Sequence, residues 1–115
     1  MTRSRATAKK AGTSWETAIK AFLIEQGWPH VERRARTGGK DQGDLTGIPG
    51  LVIEAKNVNR FALSGWVKEA KAEAANAGAE TWCVWIKKDG KTSPGDGYVV
   101  MDGRMFAHLI REAGY

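Results

Sequence analysis

The run Leu51-Val52-Ile53-Glu54-Ala55-Lys56 constrains the chain more than any other segment. It is short and almost wholly apolar, which predicts a strand covered on both faces, yet it carries two charges. Side chains alternate along a strand, so Glu54 and Lys56 share one face and Ile53 and Ala55 the other. Asp44 stands upstream, separated from this run by Ile48, Pro49 and Gly50. A hairpin centred near Pro49 sets Asp44 opposite Glu54, where facing Cβ atoms are about 4.5 to 5.5 Å apart. That pairing requires an odd-length turn, because a shift of one residue moves Asp44 to the wrong face. Two carboxylates so placed repel each other, and a captured divalent cation is the simplest remedy. Oxygen ligands without Cys or His favour Mg²⁺ or Mn²⁺ over zinc. The plainer alternative makes Glu54 and Lys56 an ion pair at a strand end, nearly neutral in energy.

Around this run the periodicities predict α-β-β-β-α-β-β-α. Trp15, Ala18, Ile19, Phe22 and Leu23 trace one stripe of a helix over 14–26, ended by Gly27. Residues 28–36 read as a strand, 37–43 as a loop, and 44–47 and 51–56 as a hairpin. A second helix spans 64–77 and stops at Gly78. Strands follow at 81–87 and 98–101, and Asp102 caps a last helix that buries Met105, Phe106, Leu109 and Ile110. The expected fold is a single α/β domain over 13–115, with a central mixed five-stranded sheet flanked by helices. Residues 1–12 read as a flexible basic arm.

With 115 residues there is no room for two independent cores. No run approaches the roughly 18 apolar residues of a membrane span, and the basic start lacks a signal peptide's apolar centre. A cytoplasmic protein without membrane contact is expected. The single cysteine, Cys83, offers neither a disulfide nor a cysteine zinc site and reads as a core residue.

The net charge of +5 is unevenly spread: residues 1–40 hold nine Lys or Arg against three Glu, and residues 41–115 hold nine against ten acidic residues. A polyanion such as DNA is the natural partner of such a basic first third, a solvated basic tail the alternative. Arg33, Arg34, Arg36 and Lys40 precede Asp44 and are placed to clamp phosphates. Lys9 and Lys10, with Arg3 and Arg5, add a second group, and Lys87, Lys88 and Lys91 a third. No base-reading pattern is evident, so recognition by shape is expected.

The combination Asp44…Glu54-x-Lys56, preceded by an amphipathic helix carrying Glu16, resembles the PD-(D/E)xK nucleases. Within that superfamily the chain is similar to small phage and archaeal Holliday junction resolvases. The segments GGKDQGDLTG…LVIEAKN, SGWVKEAKAEAANAG and KTSPGDGYVV carry the phage likeness, and Gly43 stands where many relatives have proline. The resemblance implies a restriction-endonuclease-like fold and a Mg²⁺- or Mn²⁺-dependent endonuclease acting on branched DNA. In it Asp44, Glu54 and the Ala55 carbonyl hold the metal, Glu16 completes the site, and Lys56 orients the attacking water or the phosphate. Flap, nicking or restriction-like cleavage on the same fold, or DNA binding without catalysis, are the alternatives. Glu16 has a local alternative as well, since Thr13-x-x-Glu16 fits a capping box. Asp41 is a second candidate acid, or a loop residue that solvates the turn. A four-way junction has two equivalent strands to cut, which favours a homodimer; Trp66, Trp82 or Trp85 would anchor its interface or else fill the core.

Overall fold

A computed structural model describes residues 3–35 and 39–115. Helix α1 runs from Arg5 to Glu25. It starts nine residues earlier than the apolar stripe suggests, because Ala, Lys and Arg in its first turns are strong helix formers and Ser4 caps the Thr7 N–H at 3.1 Å. The Arg3 guanidinium ties this start to the Asn57 carbonyl at 2.6 Å. Residues 5–12, expected in a flexible arm, are therefore helical, with Lys9 and Lys10 on the exposed side.

The expected single five-stranded sheet is not formed. The described strands make two sheets: β1 (Glu32–Arg33) pairs antiparallel with β2 (Leu45–Thr46), while β3 (Leu51–Lys56), β4 (Thr81–Ile86) and β5 (Tyr98–Val100) form a second sheet in that order. Strands β3 and β4 are parallel, with Glu54 level with Val84, and β5 returns antiparallel. A parallel pair needs a crossover, and helix α2 (Leu63–Ala77) supplies it, stopping at Gly78 in the left-handed conformation as expected.

The hairpin expected between the segments at 44–47 and 51–56 is likewise not a ladder; β2 pairs with β1 instead. Gly43 and Gly47, at φ +99° and +104°, interrupt the extended backbone on either side of Asp44. Asp44 itself joins the two sheets, its N–H donating to the Ile53 carbonyl at 3.0 Å and its own carbonyl accepting from Arg34 N–H at 2.9 Å.

The two faces of β3 carry two apolar clusters. On one, Trp15, Ile19 and Leu23 of α1 meet Ile53, Cys83 and Trp85. On the other, Trp66, Ala70 and Ala74 of α2 meet Val52, Trp82 and Val84. Ile19 is wholly buried, so truncating it to Ala costs about 2–5 kcal/mol. Trp66, Trp82 and Trp85, considered above as dimer anchors, all lie inside these clusters. The Trp85 indole donates to the Pro94 carbonyl, and the Trp15 indole to the Trp85 carbonyl, each at 3.0 Å. Burial pushes the Cys83 thiol up to about 12, which leaves it inert.

The last helix, α3 (Gly103–Glu112), departs from expectation. Asp102 caps it through the Met105 N–H at 2.9 Å, but of the four residues expected to be buried Met105 alone packs on the core, and only partly. Phe106, Leu109 and Ile110 are exposed. Helix α2 already covers the sheet face to which Met105 adds, leaving α3 beside it, held by a Lys71–Asp102 pair of 3.2 Å. No helix among the described residues is long and apolar enough to cross a membrane.

Candidate metal centre and cleft

Because β3 is an edge strand of its sheet, groups from both of its faces converge along its open side. Glu54 shares the face of Val52 and so turns toward α2; α1 covers the other face. The loop before β2 closes the third side through Asp44. The result is a cleft of about 1170 Å³, with Glu16, Asp44, Glu54, Ala55 and Lys56 in its walls. That volume is ample for a phosphodiester and its flanking sugars.

Asp44 and Glu54 are buried, at 8% and 4% exposure. The Asp44 carboxylate accepts the Ala55 N–H at 2.8 Å, which fixes its orientation against β3. Glu54 holds Lys56 at 3.4 Å through Oε1, while its buried Oε2 has no hydrogen-bond partner among the described residues. Burial, then the carboxyl of Glu73, then the charge of Asp44 raise the Glu54 carboxyl far above the usual range; Lys56 opposes this without cancelling it. For Lys56, burial alone would depress the ammonium, but Glu54 and Glu69 outweigh it and raise its pKa. Lys56 thus forms the ion pair of the plainer alternative, but in a buried setting. It also lies 3.3 Å from Glu69 and 5.9 Å from the centre of the Trp66 ring.

Glu16 sits in the middle of α1, since the helix is capped at Ser4; this removes the capping-box alternative. It reaches the cleft from the α1 face, and its Oε1 meets Arg33 Nε at 3.2 Å. With Arg33 43% exposed, the pair contributes only about 0–1 kcal/mol and is easily exchanged.

The basic residues divide. Lys9, Arg33, Arg34 and Lys40 line the cleft. Arg34 Nε is buried there without a hydrogen-bond partner among the described residues, a donor suited to an anion. Lys10, Lys87 and Lys88 lie outside the cleft walls, although the Lys87 N–H donates to the Lys56 carbonyl at the same end of the sheet. Arg36 lies outside the described residues.

Two acids on α2 were not anticipated. Glu69 and Glu73 join Asp41 and Glu54 in a group whose carboxylate oxygens lie within 4.8 Å of one another. Glu73 is 2% exposed. A signal for it was present: Glu73 falls seven residues after Trp66, in the same stripe as Ala70 and Ala74, so the helix period placed a carboxylate on the buried face.

Comparisons with protein-family models, with curated proteins and with solved structures return no match.

Proposed function

We propose that this chain is a metal-dependent phosphodiesterase acting on DNA. More narrowly, we propose a Holliday junction resolvase of the PD-(D/E)xK kind, a homodimer using Mg²⁺ or Mn²⁺. The observation that carries the reading is the meeting of buried Asp44 and Glu54 beside Lys56, in the floor of a cleft walled by Lys9, Arg33, Arg34 and Lys40.

The residues fit a hard divalent cation: the oxygen atom Glu54 Oε2 is buried with no hydrogen-bond partner among the described residues, and the donor set is all oxygen. Asp44, Glu54 and the Ala55 carbonyl would hold the ion, with Glu16 completing the set from α1. When bound, it supplies Lewis-acid activation of the phosphate and a more acidic water. Lys56, already cationic, neutralises charge that builds on the phosphoryl oxygens and holds the attacking water in line. Arg34 Nε and Arg33 bind the flanking phosphates, Arg33 exchanging Glu16 for the DNA. Lys9 extends the grip from α1.

Cleavage of synthetic four-way junctions, flaps, nicked and plain duplexes, each with and without Mg²⁺, tests the proposal. Junction cutting that needs the cation is expected. Preference for flaps or plain duplex would keep the phosphodiesterase and discard the resolvase; binding without cleavage under Mg²⁺ and Mn²⁺ alike would leave a DNA-binding module. Asp44→Asn and Lys56→Ala are each expected to lower cleavage by at least about 100-fold while shifting DNA affinity little. Cleavage retained in both would remove these residues from the site.

A further inference from the structure

The carboxylates beside α2 exceed what one cation between Asp44 and Glu54 requires. Asp41, Glu54, Glu69 and Glu73 bring four carboxyl groups together, of which Lys56 pairs with Glu54 and Glu69. Clusters of acids on a surface need no ion, but this one reaches into the core. Both oxygens of Glu73 are buried, and neither has a hydrogen-bond partner among the described residues. They lie against the carboxyls of Glu54 and Asp41, acceptors facing acceptors, a contact that only a shared proton or a cation makes favourable.

We propose that Asp41, Glu54, Glu69 and Glu73 form a second divalent-cation site, distinct from the one assigned to Asp44, with Glu54 shared between them. Its ligand is a hard, oxygen-seeking ion of the size of Ca²⁺. The four ligand atoms all lie within 4.8 Å of one another, close enough for one ion to touch each of them, and carboxylates drawn from three separate segments suit the flexible, high-coordinate shell of Ca²⁺ better than the strict octahedron of Mg²⁺. Three parts of the chain meet there. Glu54 comes from β3 and Glu69 and Glu73 from α2. Asp41 comes from the loop, which Asn76 holds against α2 by donating to the Asp41 carbonyl at 2.8 Å. Asp41 Oδ1 in turn accepts the Gly43 N–H at 2.9 Å, setting the turn that delivers Asp44. An ion in this cage fastens the loop to α2 and holds the Glu54 carboxylate ionised, ready for its role beside Asp44.

Calorimetric titration of the metal-stripped full chain with CaCl₂ tests the site without reference to DNA. Glu73→Gln keeps the shape and removes a charge; it is expected to weaken Ca²⁺ binding by about tenfold or more. Glu69→Gln, at a partly exposed position that folding tolerates, should weaken it in the same direction. Asp44→Asn should leave it within about threefold. The site is overturned if wild type takes up no Ca²⁺, if Glu73→Gln binds as wild type does, which leaves a shared proton, or if Asp44→Asn weakens binding as much as Glu73→Gln. Ca²⁺ binding through Glu73 in a chain that cuts no DNA would keep this site and discard the nuclease reading. Mg²⁺-dependent cleavage with a Glu73→Gln chain that binds Ca²⁺ normally would do the reverse.

Discussion

At the scale of single residues, the site is built against its own electrostatics. Glu54 and Glu73 both have carboxyls raised above the ordinary range, in each case first by burial. Raised native values mean that the folded chain binds these protons more tightly than the unfolded chain does. The stabilisation is therefore complete under acidic conditions, below the ordinary carboxylate value, and is lost as pH rises through the raised values. In EDTA the melting temperature is expected to fall as pH rises above the ordinary carboxylate value of about 4.5, first through about 7 for Glu73 and then towards about 11 for Glu54, a slope that thermal melts will show and that Glu73→Gln should flatten. Saturating divalent cation should oppose the fall, since the ion takes the ionised form. The common face of Glu54 and Lys56 was legible from two-residue alternation, but the hairpin expected to deliver Asp44 does not form: β2 pairs with β1, and Asp44 reaches β3 by donating its N–H to the Ile53 carbonyl and accepting the Ala55 N–H on its carboxylate. Glu69 and Glu73 were not singled out: on a helix of alternating Lys and Glu they read as a solvated face, and their role depends on which face of β3 the helix covers.

At the scale of elements, the helices and the longer strands follow from local pattern, and the errors cluster where backbone conformation depends on distant neighbours. The early start of α1 needed no apolar stripe, only a capping serine and helix-forming residues. The split of the sheet rests on glycines with positive φ, which composition marks as loop without saying which strand the following residues join. Gly47 illustrates the constraint, since a Cβ there would collide with the carbonyl of His30, in the segment leading into β1, while its φ of +104° disfavours any side chain. Gly47→Ala is expected to destabilise the fold by roughly 2–4 kcal/mol, measurable by urea unfolding. Gly50→Ala, where the added methyl meets open space, should cost about 1–2 kcal/mol, through backbone strain alone.

At the scale of the whole molecule, the core and the cleft leave an apolar region of the last strand and helix uncovered. Phe106, Leu109 and Ile110 of α3 and Tyr98 and Val99 of the edge strand β5 remain exposed. This apolar surface, rather than the buried tryptophans, is the one we assign to a second copy under the proposed homodimer. Leu109→Glu, on a helix that contributes little to the core, is then expected to convert a dimer to a monomer in sedimentation velocity while leaving the melting temperature of the monomer nearly unchanged. A wild-type chain that sediments as a monomer would remove the homodimer from the proposal.

The stacking of Lys56 near Trp66 has a practical corollary. An ammonium beside an indole alters the light the indole emits, and among the described residues no other tryptophan ring has a cation over it. Any ion or phosphate that draws Lys56 aside therefore changes a signal the chain already carries, so occupancy of the cleft can be followed by fluorescence without attaching a dye.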